Sequence, residues 1–289
     1  MLGPEPAAVA SGPWRRRTEV DGVEAAIAAW SGRGLPGEDN MAIDRALFAD
    51  VQNGGAPVLR LYTWDPACIS FGRNQRTDGI YDLEAAAARG IDVVRRPTGG
   101  LAVLHDRELT YSVCTRAGTL GSPRETYRAV HLALVEALRS LGVDATLAAR
   151  PASATRDVVA RRSPVLDAAV PCFKTPAGGE ITARGGKLVG SAQRCEHRAI
   201  LQHGSILVGG SQHPLQELLL SDASGALPAH PGDGAADGWT SIEALGETVS
   251  VVSLAAAIVR AWASRFGGSA RLSWRSSEKV FDRQLARDQ

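Results

Sequence analysis

Cys172 and Lys187 are the residues whose chemistry stands out first in this sequence. Cys172 follows a proline shortly before a run of predicted strands, and Lys187 follows a Gly-Gly pair at the start of one of them. A thiol is a good nucleophile as its thiolate, which a nearby ammonium stabilises. The same ammonium can polarise an acyl carbonyl during attack, so this pair would suit acyl transfer. The alternative for Cys172 is a buried small apolar side chain, which is the commoner fate of a free cysteine.

Lysine is scarce in the chain. Lys174, Lys187 and Lys279 are the only lysines, and the other 29 of the 32 Lys and Arg residues are arginines. Where only positive charge is needed this chain uses arginine, so a retained lysine indicates a need for a compact, titratable ammonium. Chance is an alternative of equal weight.

The remaining cysteines have a different predicted role. We expect Cys68, Cys114 and Cys195 to be small buried apolar residues. The four cysteines are widely spaced and form no CxxC pair, a pattern that fits neither a disulfide framework nor a zinc site. The sequence therefore predicts no metal site and a reducing, cytoplasmic environment.

The turn RRPTGG combines charge with backbone freedom. Arg95 and Arg96 offer forked donors for a carboxylate or phosphate, and the glycines after Thr98 let the backbone approach a ligand. The turn is not a P-loop, because no Gly-Lys-Ser/Thr follows at the required spacing. The alternative is a hairpin turn that carries a solvated pair of arginines.

Polar residues also interrupt two apolar segments. His105 alternates with apolar neighbours in VLHD, and Gln202, His203 and Ser205 interrupt AILQHGSILV. Such positions suit strands that face a pocket. They equally suit polar networks that are satisfied within a core.

Composition excludes several classes of protein. The chain has 289 residues, of which 44% are hydrophobic and 22% charged, as in ordinary globular domains. A net charge of +1 argues against non-specific nucleic-acid binding. We expect no membrane partner, because no apolar run approaches the length of a membrane span, and no signal peptide, because the N-terminal segment lacks a long apolar core.

Periodicity and turn residues predict short helices interleaved with strands. The clearest helix begins at the capping box of Ser122 and Glu125 and ends at Gly142. An earlier helix is predicted to be capped by Asp39 or Asn40. Residues 145–170 are predicted to be a long loop. Strands are predicted at residues 58–64, 67–72, 91–96, 108–114, 179–185, 187–195 and 199–209, and further helices at residues 81–90 and about 251–266.

This order lacks the regular strand-helix repeat of a doubly wound sheet. It favours an α+β fold with mixed or antiparallel sheets flanked by helices. We expect a flexible N-terminal segment (1–37), a main domain (38–220), a flexible connection (221–240) and a small C-terminal helical extension (241–289) packed on the main domain.

Five segments in order resemble the lipoate-protein ligase A and octanoyltransferase family, which is related in fold to the biotin protein ligases. The segments are NMAIDRAL, LRLYTWDPACISFGRNQ, RRPTGGLAVLHDRELTYSV, CF…GEITARGGKLVGSAQR and LQHGSILV. The resemblance covers roughly residues 38 to 215. It implies an α+β catalytic domain with a pocket for a medium-chain acyl group or lipoate.

The resemblance also implies roles for individual residues. Lys187 matches the family's catalytic lysine, and Cys172 aligns with the nucleophile of the cysteine-dependent octanoyltransferase branch. Backbone N–H groups near Gly99, Gly100 or Gly190 are expected to receive the oxyanion. Substrate contacts are expected at Arg95, Arg96, Thr98, Gly99, Gly100, His105, Gly190, Ser191, Ala192, Gln202, His203 and Gly204.

The implied reaction takes octanoate from acyl carrier protein to a lysine of a lipoyl-acceptor domain, either the glycine cleavage H protein or an E2 subunit. It requires no cofactor. One alternative is an ATP-dependent lipoate-protein ligase, which would need ATP and Mg²⁺ but no cysteine. Leu101 stands where those ligases usually carry a third glycine, which disfavours this alternative because the space for an adenylate is reduced. An octanoyl amidotransferase acting between acceptor proteins and a non-catalytic binding protein of the same fold remain open.

Overall fold

The computed structural model describes residues 28–30, 34–149, 179–220, 238–266 and 272–273. Its helices are α1 (Gly37–Gln52), α2 (Leu83–Ala88), α3 (Pro123–Ser140), α4 (His213–Glu217) and α5 (Val251–Phe266), with a 3-10 turn at Glu243–Leu245. Its strands are β1 (Ala28–Trp30), β2 (Val58–Tyr62), β3 (Cys68–Phe71), β4 (Asp92–Arg95), β5 (Val103–His105), β6 (Glu108–Arg116), β7 (Ala145–Leu147), β8 (Ile181–Ala183), β9 (Gly186–Glu196), β10 (Ala199–Leu207) and β11 (Leu272–Ser273).

The described strands form two sheets. The large sheet has the order β11-β1-β2-β6-β10-β9-β8-β7, and the small sheet has the order β4-β3-β5. Antiparallel pairs make up the centre of the large sheet, while β1 runs parallel to β2 and β11. The α+β class predicted from the sequence, with mixed and antiparallel sheets flanked by helices, is confirmed.

The RRPTGG turn does not close a hairpin. Strands β4 and β5 both pair with β3, which lies between them, in parallel and antiparallel orientation respectively. The turn therefore crosses the end of β3. The hairpin alternative is wrong, and the turn is free to border a cavity at that end of the small sheet.

Helices α3 and α5 cover one face of the large sheet. Leu134 of α3, Ile258 and Trp262 of α5, and Leu109 of β6 belong to one buried hydrophobic cluster. The predicted capping box of α3 is present, because the Ser122 hydroxyl accepts from the N3 backbone and the N3 carboxylate accepts in return from the Ser122 N–H. This helix is held firmly enough to place a functional side chain.

Helix α1 begins earlier than the sequence indicates. It starts at Gly37 after Pro36, so neither Asp39 nor Asn40 caps it. The Asn40 amide instead donates to the carbonyl oxygens of Leu35 and Thr63, at 3.1 Å in both cases. The Asn40 side chain thus satisfies two carbonyl oxygens outside the helix, which is why a residue favoured at caps lies inside the first turn.

Residues 28–30 form β1 beside β2. Two further expectations differ from the structure. Residues 145–147 form strand β7, because the outer edge of β8 accepts another antiparallel partner. Cys195 is exposed rather than buried, because it lies on the part of β9 that extends beyond its pairing with β8. The remainder of the predicted loop, residues 150–170, lies outside the described residues. So do residues 221–237 of the predicted connection and most of the chain after residue 266.

None of the helices within the described ranges is both long and apolar enough to cross a bilayer.

Candidate active site

A pocket lies between the large sheet, the small sheet and α1. Its walls combine apolar and polar side chains, as those of small-molecule sites do. The residues that line it are Met41, Tyr62, Trp64, Ser70, Arg96, Val103, His105, Thr110, Gly190, Ser191, Ala192, His203, Gly204 and Ser205.

The arginines of the RRPTGG turn bind the main chain. The Arg96 guanidinium is buried and donates to the carbonyl oxygens of Ser70 at 2.7 Å, Gly99 at 2.9 Å and Leu101 at 2.7 Å. Arg95 donates to the carbonyl oxygen of Gly72 at 2.7 Å. These guanidinium groups shape the turn around the pocket, a role that the sequence analysis did not anticipate.

Backbone conformation accounts for the second glycine of the turn, and close packing accounts for the glycine on which the turn rests. Gly100 has φ of +94°, in the left-handed region that favours glycine. A Cβ placed on Gly72 would lie 2.0 Å from the Gly100 carbonyl oxygen, so the turn rests directly on the chain that follows β3.

His105 lies on the pocket wall within a small polar group. Its Nε2 is 2.7 Å from the Ser70 hydroxyl, and its Nδ1 is 3.3 Å from a Glu108 carboxylate oxygen. The ring stacks on Trp64 with centroids 4.1 Å apart. Stacking and hydrogen bonding therefore hold the imidazole in one orientation.

A second polar group, which we call the pocket-side cluster, consists of Asp44, Arg60, Tyr62, Thr98 and His203. The Asp44 carboxylate accepts from Arg60 at 2.8 Å, from the Tyr62 hydroxyl at 2.9 Å and from His203 Nδ1 at 3.2 Å. His203 Nε2 lies 2.6 Å from the Thr98 hydroxyl. The cluster thus joins α1, the large sheet and the RRPTGG turn.

Burial and charge determine the protonation of this cluster. Burial alone would raise the pKa of Asp44, but Arg60 and the hydrogen bond from His203 hold it below its usual range. Burial lowers the pKa of His203 despite the neighbouring Asp44 carboxylate. A neutral His203 that donates through Nδ1 to Asp44 accepts the Thr98 proton at Nε2.

Lys187 lies in a separate buried ion pair. Its Nζ is 2.7 Å from Glu180 Oε1, and its side chain is 2% exposed. Lys187 is not among the described residues that line the pocket. Glu180 directly precedes β8, and Lys187 is the second residue of β9, so the β8–β9 hairpin positions both partners.

Close to this pair is a network of hydroxyl groups. Ser191 Oγ is 2.7 Å from the Tyr111 hydroxyl and 2.9 Å from His131 Nε2. His131 Nδ1 is 2.7 Å from the carbonyl oxygen of Gly179. Together with the preceding ion pair, we call Tyr111, His131, Glu180, Lys187 and Ser191 the helix-side cluster, because His131 belongs to α3.

The imidazole of this cluster is neutral. Burial, against the opposing effect of the hydrogen bond to Gly179, and to a smaller extent the positive charge of Lys187 lower the pKa of His131 to about 4. A carbonyl oxygen can only accept, so Nδ1 carries the proton and donates to Gly179. His131 Nε2 is therefore an acceptor.

Many of the residues predicted for substrate contact meet at the pocket. Thr98 joins them through His203, and the buried Gln202 joins the helix-side cluster through a 3.3 Å bond to the Tyr111 hydroxyl. Among the described residues, Arg95 and Gly99 do not line the pocket, nor does Gly100. Those that do line it are Arg96, His105, Gly190, Ser191, Ala192, His203 and Gly204. Cys172 lies outside the described residues, so its distance from Lys187 stays a prediction.

The cysteines that the structure describes are poor nucleophiles. Burial raises the pKa of Cys68 and Cys114 well above the usual range of a thiol, and desolvation also raises that of Cys195. Within these same ranges, no three His, Cys, Asp or Glu side chains come together as a metal site would require.

Sequence reasoning missed three residues that organise the site. Asp44 was part of NMAIDRAL and Glu180 part of GEITARGG, but neither was singled out because a carboxylate in a helix or turn is usually solvated. His131 lies four residues after Tyr127, on the apolar stripe of α3, and it is fully buried. A histidine on a buried helical stripe was the signal that could have identified it.

Comparison with known proteins gives relatives for this arrangement. The chain is 47% identical to the octanoyltransferase LipM of Kyrpidia tusciae over 173 residues, which cover 58% of this chain and 61% of that protein. It is 40% identical to the octanoyltransferase LipM of Geobacillus kaustophilus over 174 residues, 58% of this chain and 60% of the relative. The alignments thus span about 60% of the length of these curated relatives.

Solved structures share the fold. A lipoate-protein ligase A bound with ATP superposes with a TM-score of 0.66 at 24% identity, over 89% of this chain and 93% of that one. A putative lipoate protein ligase of T. acidophilum with bound lipoic acid gives a TM-score of 0.66 at 22% identity, over 90% and 94% of the two chains. The model of the lipoyl protein ligase A/B catalytic domain matches residues 36–263, most of the chain and both polar clusters. The chain therefore belongs to the lipoyl protein ligase A/B catalytic domain family.

Proposed function

We propose that this protein transfers an octanoyl group from acyl carrier protein to a lysine of a lipoyl-acceptor domain. One observation carries the proposal: several curated relatives at 37–47% identity are octanoyltransferases. The solved ligases are more distant, at 22–24% identity, and speak for the fold alone. The reaction would take place in the cytoplasm, as the cysteine pattern suggests.

The pocket supports an acyl substrate. Met41, Trp64 and Val103 offer apolar contact for the tail, and each buried methylene would contribute roughly 0.8 kcal/mol. Polar side chains, among them Ser191 and His203, line the same pocket next to these apolar residues. An octanoyl group likewise combines an apolar tail with a polar carbonyl.

In the proposed mechanism, the Cys172 thiolate attacks the thioester carbonyl of octanoyl-acyl carrier protein. The carbonyl carbon bonds to the cysteine sulfur and its bond to the carrier's sulfur breaks; that sulfur leaves with the proton that the Cys172 thiol gave up. The acceptor lysine then attacks the acyl-enzyme, forming the amide and releasing Cys172. The first step exchanges one thioester for another and is nearly balanced in free energy, while amide formation is downhill.

Lys187 has the role of favouring the thiolate and orienting the acyl carbonyl. The carboxylate of Glu180, 2.7 Å away, supports that role because it holds the ammonium in one position inside the protein. The proposed reaction requires neither ATP nor a metal ion, since the donor thioester supplies the free energy.

The test is amide formation on an acceptor domain, measured with the full chain. Octanoyl-acyl carrier protein and an unmodified glycine cleavage H protein are supplied with and without ATP and Mg²⁺. We expect transfer without nucleotide, its loss in Cys172→Ala, and its retention in Cys195→Ala, a matched control at an exposed cysteine.

The other outcomes identify the alternatives. Transfer only from free octanoate or lipoate with ATP, insensitive to Cys172→Ala, would mean a lipoate-protein ligase. Transfer from an octanoylated H protein to an E2 domain, but not from acyl carrier protein, would mean an amidotransferase. No transfer under any of these conditions would leave a binding protein of this fold.

A further inference from the structure

Ser191 occupies a position that connects the pocket with the helix-side cluster. It lines the pocket, is part-exposed, and bonds to both Tyr111 and His131, which are buried. No role follows for it from the acyl-transfer steps described above. Its hydrogen-bonding capacity shows what it can offer a substrate.

The donor and the acceptor of each hydrogen bond around Ser191 follow from its neighbours. Gln202 donates its amide N–H to the Tyr111 oxygen, at 3.3 Å. His131 donates from Nδ1 to the Gly179 carbonyl, so its Nε2 accepts. Of the two hydroxyls near Nε2, Ser191 is closer, at 2.9 Å against 3.3 Å for Tyr111.

The Ser191 proton is therefore committed to His131, and the Tyr111 proton is directed to the Ser191 oxygen. A hydroxyl oxygen has two lone pairs, and this arrangement uses one of them. What remains for a molecule in the pocket is one lone pair. Ser191 is thus prepared to accept a hydrogen bond and is poorly placed to donate one to a carbonyl.

In acyl transfer to lysine, the attacking amine is the reactant with N–H groups to donate. An acyl tail has none, and the thioester carbonyl is an acceptor. The amine attacks in its neutral form, because only that form has a lone pair for the acyl carbon, and it still carries N–H groups to donate.

We propose that Ser191 accepts a hydrogen bond from the attacking amine of the acceptor lysine, and that His131 and Tyr111 are positioning residues that fix the Ser191 hydroxyl for this contact. The inference rests on the proposed octanoyl transfer. The nitrogen lone pair attacks the acyl carbon, the C–N bond forms and the C–S bond breaks. The proton that the nitrogen loses goes to the departing sulfur.

The absence of a side chain at Gly204 supports this orientation of the Ser191 hydroxyl. Gly204 pairs with Ser191 across β9 and β10, and a Cβ on Gly204 would lie 2.5 Å from the Ser191 hydroxyl oxygen. A side chain at position 204 would displace that hydroxyl. Glycine here leaves room for Ser191 to hold its orientation.

The experiment separates the two half-reactions by rapid mixing. The first is octanoylation of the protein by octanoyl-acyl carrier protein, followed by intact mass. The second is transfer from the octanoylated protein to an unmodified H protein. The variants are His131→Asn, whose amide N–H can still reach the Gly179 carbonyl, and His131→Gln, whose amide oxygen can replace Nε2 as acceptor for Ser191.

We expect His131→Asn and Ser191→Ala to slow the second half-reaction about tenfold more than the first, the rate equivalent of one lost hydrogen bond. We expect His131→Gln to recover most of that loss at similar thermal stability. Should a His131 variant fail to fold, Tyr111→Phe keeps the packing, removes one donor to Ser191 and should show the same bias to a smaller degree.

Equal effects on both half-reactions, or equal defects in His131→Asn and His131→Gln, would overturn the inference while leaving octanoyl transfer intact. Failure of the wild-type protein to take up an octanoyl group would defeat the proposed function, and this inference with it.

Discussion

The pocket-side and helix-side clusters lie on opposite faces of the large sheet. They differ in how far other protein side chains satisfy and bury their polar groups. Arg60 and His203 both pair with Ser112, so their side chains share one face of the sheet. Tyr111 precedes Ser112 in β6, so its side chain lies on the other face, near His131 of α3. The pocket-side cluster is closed, because Asp44 receives donors from three protein side chains and is fully buried. The helix-side cluster includes the part-exposed Ser191, which lines the pocket.

We interpret this difference as a division between residues that maintain the shape of the pocket and residues that contact the substrate. A charge cluster closed by protein donors connects three parts of the fold and fixes the pocket. A cluster that contains an accessible hydroxyl and a buried ammonium retains groups that can respond to a reactant. We therefore expect damage to the pocket-side cluster to appear mainly in stability, and damage to the helix-side cluster mainly in rate.

The largest effect is expected at Lys187. Lys187→Met should reduce octanoyl transfer by a factor on the order of 10²–10³, as does loss of one group that stabilises an oxyanion. It should also lower the free energy of unfolding by about 3 kcal/mol, because Glu180 stays buried without its cation. Urea unfolding and a transfer assay measure the two quantities.

The double variant Lys187→Met with Glu180→Gln is the control. Removing both charges should restore much of the stability but none of the activity. Activity that recovers together with stability would mean that Lys187 only holds the fold, and the contrast between the clusters would fail.

Asp44→Asn tests the pocket-side cluster. It leaves the Arg60 guanidinium buried without its carboxylate, so we expect the free energy of unfolding to fall by about 3 kcal/mol. Below the unfolding transition, the rate of transfer from bound substrate should fall less than in Lys187→Met. If folded Asp44→Asn lost as much rate as Lys187→Met, the conclusion that Asp44 maintains the shape of the pocket would be contradicted.

The pKa of His131 predicts how stability depends on pH. That pKa is about 4 in the folded protein and 6.5 ordinarily, so between these values the unfolded chain binds a proton that the folded chain does not. Stability is then complete above about pH 6.5 and falls as the pH drops toward 4, by about 2 kcal/mol between pH 7.5 and pH 5. The lowered pKa of His203 acts in the same direction.

Urea midpoints at the two pH values, compared between wild type and His131→Gln, measure this dependence. The variant should lose most of the His131 contribution. Asp44 does not contribute in this window, because its pKa lies below the ordinary value of 3.8. An unchanged pH dependence in His131→Gln would mean that the imidazole is not held neutral by the fold.

The smallest effect is expected at Arg45, next to Asp44 in the chain. Its ion pair with Glu38 is exposed on both sides, with side-chain exposures of 49% and 70%. Arg45→Ala should change the free energy of unfolding by less than about 0.5 kcal/mol, because exposed pairs contribute little. A loss comparable to that of Asp44→Asn would show that burial is not what separates these two ion pairs.

The sequence predicts the elements better than the contacts between them. The capping box of α3 and the apolar stripe that follows it are local features, and the helix was predicted almost to the residue. The start of α1 was missed because Asn40 binds carbonyls of a loop that only the folded chain brings near. Likewise, β7 was missed because three residues become a strand only when the edge of β8 is available.

The site shows the same limit. Motif order predicts that Lys187, His105 and His203 belong to one site; of these, His105 and His203 line the pocket, while Lys187 lies in the ion pair with Glu180. It does not reveal that Arg96 binds backbone carbonyls, because an arginine beside glycines suits an anion equally well. Nor does it reveal Glu180 as the partner of Lys187, because a carboxylate before a strand is usually at the surface.

The most direct test of octanoyl transfer is the intact mass of the full chain after mixing with octanoyl-acyl carrier protein in the absence of ATP. The account predicts one octanoyl adduct per chain that hydroxylamine removes, that Cys195→Ala retains and that Cys172→Ala lacks. An unmodified wild-type protein that nevertheless lipoylates an acceptor domain when ATP and free lipoate are supplied would contradict it.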